Sequence, residues 1–230
     1  MGMKKCGYGR AAEILDMVGE FKYAPRTESE PVEPTEIPEY VLDMHGRMAP
    51  WGGYSVGFLR AWDCFPGKQV IFFGIRNIWG KLIGVVGRSR GYKIDKALAG
   101  RKKDLIWGLD RLSSKKSKTV ILVEGPKDYL WLRKLKYPNV LCCFGNGVTR
   151  EKASLLVESG IGRVVWFGDN DQGGLDGYIN VRKRLKRFVQ VVPCLRYRWA
   201  DKTSPHDLSP RQVQEMLVSC GVKVNKKGKE

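Results

Sequence analysis

The chain has 230 residues, with 41 Lys and Arg against 24 Asp and Glu, a net charge of +17 at neutral pH. Hydrophobic residues at 43% and aromatics at 10% exclude wholesale disorder, and no apolar run approaches the ~20 residues that a membrane span needs. So large an excess of positive charge costs self-repulsion and points to a polyanionic partner, nucleic acid before an anionic membrane.

The first residues, M-G-M-K-K-C-G-Y-G-R, have no apolar stretch after the lysines, so no secretory signal is expected there. Gly2 is followed at position 6 by Cys6, not by the Ser or Thr of a myristoylation motif. Ala11, Ile14, Leu15, Val18 and Phe21 recur at helical spacing and predict a short amphipathic helix over 10–22. The following T-E-S-E-P-V-E-P-T-E-I-P-E-Y reads as an extended acidic linker. Nine acids against five bases give residues 1–44 a net −4, which leaves +21 for the rest of the chain. The acidic arm at 27–43 is read first as a solvated linker and second as a cover for a basic groove. Deleting residues 1–43 raises DNA affinity only in the second case.

From Gly52 the texture changes. Q-V-I-F-F-G-I and L-I-G-V-V-G are β-rich runs joined by R-N-I-W-G-K, a hairpin signal with Gly80 in the turn. From Thr119 strands and helices alternate. T-V-I-L-V, N-V-L-C-C-F, R-V-V-W-F and F-V-Q-V-V are short apolar runs of buried-strand type. Helices are predicted between and after them, beginning at Pro126, after a Thr149 cap, after the Gly/Asp turn at 168–174, and at Pro210 behind a Ser209 cap. This alternation means an α/β fold with a parallel sheet flanked by helices, whose ligands sit at the carboxyl ends of the strands.

Acids follow three of those strands. Glu124 and Asp128 come after the first, Asp169 and Asp171 after the third, and Asp201 and Asp207 after the fourth. Any one alone reads as a helix cap or a dipole partner. Together they form an all-oxygen set suited to Mg²⁺ or Mn²⁺ and to phosphoryl transfer. Basic tracks flank them at 88–118 and at 182–187, with Arg196 and Arg198 beyond. The terminal K-K-G-K reads as a frayed tail. D-N-D-Q-G-G lacks the Glu at its twelfth position that a calcium loop needs, where Asn180 stands. There is no P-loop and no nucleophile elbow. The six cysteines form no C-x-x-C pair, so no zinc is expected in this chain, and reduced thiols are the simpler reading.

V-E-G-P-K-D at 123–128 and F-G-D-N-D-Q-G-G at 167–174 resemble the two signatures of the Toprim fold, and C-F-G-N-G-V-T at 143–149 resembles the glycine turn between them. The resemblance spans roughly 118–208. Upstream, residues 57–109 resemble the basic subdomain that precedes Toprim in DnaG-type and phage primases. The resemblance implies a Toprim catalytic domain over 118–210, preceded by a small basic α+β subdomain over 51–117. An N-terminal helix and acidic linker (1–50) and a C-terminal helix end and basic tail (211–230) flank them. Glu124, Asp169 and Asp171 are the implied catalytic acids, and Glu124, Asp169, Asp171, Asp128 and Asp207 the implied metal ligands for two Mg²⁺ or Mn²⁺ ions. Arg76, Arg88, Lys93, Lys127, Arg101 and Lys102 are the implied nucleotide and template contacts, and Gly125, Gly145 and Gly173 the structural turns. Trp79, Tyr92 or Trp107 would stack on bases.

S-P-H-D-L at 204–208 departs from the Asp-Pro-Asp element of the family, with Ser204 in the place of the first Asp and His206 at another polar position. Asp201 or Asp207 would then complete the metal site. No zinc module or helicase motor is recognised. The implied function is a DNA primase that makes short RNA primers from ribonucleoside triphosphates on single-stranded DNA. It would act beside a separate replicative helicase in the cytoplasm, or in a host's cytoplasm if phage-encoded. The alternatives are a Toprim nuclease with the same carboxylates and a non-catalytic nucleic-acid-binding accessory of replication. A membrane would explain the charge but not the acidic island within it.

Overall fold

The computed structural model describes residues 50–67, 70–89, 95–99, 104–112, 118–194 and 202–223. The helix expected over 10–22, the acidic arm, Tyr92, Lys93, Arg101, Lys102 and Asp201 lie outside them.

A first helix, α1 (Val56–Ala61), is capped by Ser55, whose side chain accepts the Phe58 N–H at 3.3 Å. It leads into a four-stranded antiparallel sheet in the order β1-β2-β3-β4, formed by Cys64–Pro66, Val70–Arg76, Leu82–Ser89 and Asp95–Ala99. The expected hairpin is β2–β3. Asn77 locks its turn: Oδ1 accepts the N–H groups of Trp79 and Lys81, both at 3.0 Å, and Gly80 adopts φ 78°. A register shift between Ile75 and Arg76 swings Arg76 onto Asp63 in a bidentate ion pair of 2.9 and 3.0 Å. Arg76 Nη1 also donates to the Gly80 carbonyl at 3.0 Å. The tip that carries Trp79 is therefore braced from behind.

The second sheet is parallel, in the order β6-β5-β7-β8, and is formed by β5 (Lys118–Val123), β6 (Val140–Cys142), β7 (Ile161–Trp166) and β8 (Gln190–Pro193). The four apolar runs read as strands are these four. The central strands are mostly apolar because the sheet is covered on both faces, while the edge strand β8 carries the exposed Gln190. Ile121 and Val123 enter one core and Val120 and Leu122 the other. The first core is closed by α2 (Pro126–Lys134) and α5 (Pro210–Ser219), through Leu130, Leu132, Val213 and Leu217. The second is closed by α3 (Arg150–Glu158) and α4 (Gln172–Leu185), through Ala153, Leu156, Val181 and Leu185. Thr149 caps α3, and Ser209 with Pro210 starts α5.

The two sheets share the first core. Trp107 sits between them, 2% exposed, stacked on Tyr129 at 4.2 Å and tilted against Phe73 of β2 at 5.0 Å. Its backbone exchanges two hydrogen bonds with Cys142 at the edge of β6, at 2.9 and 3.0 Å. Trp107 is thus a core wedge and not a stacking platform for bases, because no face of its ring reaches solvent.

Candidate active site

β5 and β7 are neighbours, so the loops leaving their carboxyl ends lie side by side. Glu124 leaves β5, and its Oε1 accepts the Asp169 backbone N–H at 3.2 Å, which ties the two loops together. The glycine turn after β6 joins at the same point, with Gly145 N–H donating to the Glu124 carbonyl at 3.1 Å. Asp171 caps α4, its Oδ1 accepting the Gly174 N–H at 2.9 Å. Asn170, between the two aspartates, is bonded on both sides to the segment after β8: it donates to the Thr203 carbonyl at 2.8 Å and accepts from Lys202 at 3.1 Å. Gly174 carries the tightest approach, since a Cβ there would overlap the Asp169 carbonyl oxygen, whereas one at Gly173 would meet Asp171 Oδ1 at 3.1 Å. Gly174, next to the glycine singled out in the sequence, lets the Asp169–Asp171 loop fold onto the start of α4. The paired glycines at 173–174 were the available signal.

Asp128 lies in the first turn of α2, behind Gly125, the helix N-cap. Its Oδ1 accepts from the His206 backbone N–H at 3.1 Å and from His206 Nδ1 at 2.6 Å. The His206 Nε2 lies 3.6 Å from Asp207 Oδ1. Asp207 Oδ2 accepts the Ser204 N–H at 2.9 Å and closes the short turn Pro205–Asp207. Sequence reasoning placed His206 at a polar position but missed its partner, because 78 residues separate the pair.

The electrostatics follow from this crowding. Burial, and then the charge of Asp169, push Glu124 up to about 7. Burial, and then the charge of Asp128, raise Asp169, against a hydrogen bond from Ser204. Asp169 Oδ1 is buried with no hydrogen-bond partner. For His206, burial pulls downward, but the hydrogen bond and charge of Asp128 outweigh it and raise the imidazole above its ordinary value. Asp207 acts on His206 in the same upward direction.

An all-oxygen donor set, a buried carboxylate oxygen left unmet and a Glu raised by burial and then by a like charge fit a hard divalent cation. Among the described residues, no group of three or more His, Cys, Asp or Glu side chains is placed to hold a metal ion. Mg²⁺ tolerates this, because it keeps several waters and takes one or two carboxylates with substrate phosphates. The thiols of Cys64 and Cys143 are pushed up by burial, well away from thiolate chemistry.

Raised carboxylates leave a mark on stability. The folded value for Glu124 lies above its ordinary 4.5, so the folded chain holds more protons between about 4.5 and 7. Cation-free protein therefore loses stability as pH rises through that window. Glu158, pushed up to about 7 by burial, adds the same slope. Thermal melts in EDTA across this range are expected to show it, with Glu124→Gln reducing the slope and Glu158 retaining the remainder. Equal slopes in the native and Glu124→Gln proteins contradict this origin.

The cations expected to meet nucleic acid lie on separate elements. Arg88 lies on β3 opposite Ile71 and Asp95, and exposed Lys127 opens α2 with its Nζ 6.0 Å from the centre of the Trp51 ring. Arg76 is committed to Asp63, as described. Trp79 is 77% exposed at the hairpin tip. No helix among the described residues is long and apolar enough to cross a membrane.

No family model matches the chain. A DNA primase of Rickettsia prowazekii (strain Madrid E) is 30% identical over 113 residues, 46% of this chain and 19% of that protein. The chain thus aligns with about a fifth of that relative's length. Among solved structures, the RNA polymerase domain of Mycobacterium tuberculosis primase DnaG superimposes with a TM-score of 0.54 at 16% identity, over 95% of this chain and 84% of that one. The primase fragment of the bacteriophage T7 primase-helicase protein superimposes with a TM-score of 0.55 at 14% identity, over 73% and 70%. Their catalytic cores share this chain's architecture of a parallel four-stranded sheet flanked by helices. The fold of this chain is the Toprim fold of the DnaG-type primase catalytic core.

Proposed function

We propose that this chain makes short RNA primers from ribonucleoside triphosphates on single-stranded DNA during replication. The observation that supports the reading is the hydrogen bond from the Asp169 loop to Glu124 at the carboxyl edge of the parallel sheet, with Asp171 at the start of α4 beside it, in a fold shared with primase cores. The partial sequence match to a DNA primase supports it, as does a solved DnaG primase catalytic domain bound to single-stranded DNA.

In this reading residues 118–210 perform the chemistry and residues 51–117 grip nucleotide and template. Glu124, poised near neutral pH, lies beside the attacking hydroxyl and accepts its proton. Asp169 and Asp171 are the ligands for Mg²⁺ or Mn²⁺, which would lower the hydroxyl pKa and neutralise the leaving pyrophosphate. Arg88 and Lys127 meet phosphates, together with Lys93, Arg101 and Lys102. A separate helicase would present the template strand, in the cytoplasm where replication proceeds.

Trp79 supplies a stacking face. A single base–aromatic stack is worth about 1–3 kcal/mol, so Trp79→Ala is expected to weaken single-stranded DNA binding about tenfold. The melting temperature should stay within about 1 °C, because the exposed ring packs on little. Fluorescence anisotropy with a labelled oligonucleotide checks the first statement and a thermal melt the second; unchanged affinity removes Trp79 from the template track.

The reading is tested by incubating the protein with single-stranded DNA, labelled ribonucleotides and Mg²⁺ or Mn²⁺. Short labelled RNAs are expected. Shortened DNA without new RNA would instead establish a Toprim nuclease, and salt-sensitive binding with neither product an accessory role.

A further inference from the structure

The far end of α4 carries more positive charge than its fold requires. From Arg182 to Arg187 every residue except Leu185 is a cation. The helix turns Gly174, Gly177, Val181 and Leu185 to the core. Asn180, whose Oδ1 accepts the Val148 N–H at 2.9 Å, marks the flank toward the turn before α3, and half-buried Arg184 follows it one turn later. Arg182 and Lys186 are one turn apart on the other flank, with Lys183 on the outward side, and all three are exposed. The positions three and four residues from each hold no acid, so no ion pair along the helix offsets their mutual repulsion. Asp176, the one acid in α4, accepts from Gln172 Nε2 at 2.7 Å, near the other end. The helix dipole favours cations here, but its C-terminal charge is only about half an elementary unit, which a single cation meets.

We propose that Arg182, Lys183 and Lys186 form a second phosphate track, which holds the backbone of single-stranded DNA on the face of the parallel sheet opposite the antiparallel sheet. The inference rests on the nucleic-acid reading of the chain and extends it to a surface which that reading leaves unused. The antiparallel sheet and α2 pack into the first core, whereas α4 closes the second. α4 is also one continuous element, with Asp171 as its N-cap and these cations at its other end. Its 14 residues set the two about 20 Å apart, at ~1.5 Å per residue. Only a polymeric anion spans that distance, and a strand engaged at the carboxylates can follow α4 outward to the cations. Contacts to phosphates carry no sequence information, so this track adds affinity without selecting a start site.

Fluorescence anisotropy of the full chain with a labelled mixed-sequence single-stranded DNA, repeated over a series of salt concentrations, reads the track without nucleotide or catalysis. Each phosphate contact contributes about 0.7 to the slope of log affinity against log salt. The triple variant Arg182→Gln, Lys183→Gln, Lys186→Gln is expected to lower that slope by about 2 and the low-salt affinity by at least about tenfold, to the same extent for oligonucleotides of different sequence. All three side chains are exposed, so circular dichroism and the melting temperature should stay native. A control, Lys136→Gln, Arg211→Gln, Lys223→Gln, removes the same charge from exposed positions on and after α2 and α5 and should keep the native slope. A native slope in the first variant, or an equal fall in the control, overturns the track and leaves primer synthesis standing. Loss of poly-glutamate binding in the first variant with its DNA slope unchanged assigns the face to an acidic polypeptide and also overturns it. The expected slopes without primer synthesis support the track and overturn only the primase reading. A native protein that binds no single-stranded DNA overturns both.

Discussion

Primer synthesis is expected to fall by at least about 100-fold in Asp169→Asn, with no loss of fold, because the substitution removes the charge and keeps a carbonyl oxygen to accept the hydrogen bond from Ser204. The loop that carries Asp169 is held through its backbone. Glu124 Oε1 accepts the Asp169 N–H, and Asn170 is bonded on both sides to residues 202–203. None of these bonds uses the Asp169 side chain. Asp171 is different, because its carboxylate also caps α4. Asp171→Ala therefore removes a cap and, in the proposed reading, a metal ligand, and should cost about 1 kcal/mol of stability as well as activity. Asp171→Ser separates the two roles: Ser caps as well as Asp, so stability should stay within about 0.5 kcal/mol while activity is lost. Urea denaturation beside a primer-synthesis assay reads both. Full activity in Asp171→Ser would reduce Asp171 to a cap.

Trp107→Ala is expected to have the largest effect on stability, about 3–5 kcal/mol, as for other buried aromatic truncations. The ring is stacked on Tyr129 and packed against Phe73 and Phe144, so its removal opens a cavity where the antiparallel and parallel sheets meet. For a chain of this length, that loss lowers the melting temperature by roughly 10 °C. Activity should fall at temperatures where the variant is still folded, because the antiparallel sheet is positioned against the carboxylates through this core. A loss below about 1 kcal/mol would mean that the wedge does not couple the sheets.

Much of the fold was legible where local signals and burial agree. The runs at 119–123, 140–143, 163–167 and 189–192 are mostly apolar, as strands of a covered parallel sheet are, and Pro126, Thr149 and Ser209–Pro210 mark helix starts by their own chemistry. Short or long-range elements were not legible. The helix Val56–Ala61 buries only Leu59, too little for a periodic signal. The strand Asp95–Ala99 is rich in residues with no β preference and exists by pairing with β3. Trp107 looks like any aromatic until Cys142 is found beside it. The acids after the first and third strands were legible because the topology of a parallel sheet brings such loops together. The Asp63–Arg76 and Asp128–His206 pairs are products of folding, and no spacing rule announces them.

The most direct measurement is the fate of the γ-phosphate. A primase joins two nucleotides without a pre-existing primer, so the first nucleotide keeps its triphosphate and every later one loses pyrophosphate. With single-stranded DNA, unlabelled ribonucleotides and one γ-labelled purine ribonucleotide at a time, the account predicts short RNAs that carry the γ-label, and their absence in Asp169→Asn. Intact template with no γ-labelled product, or template cut to shorter DNA, would contradict it.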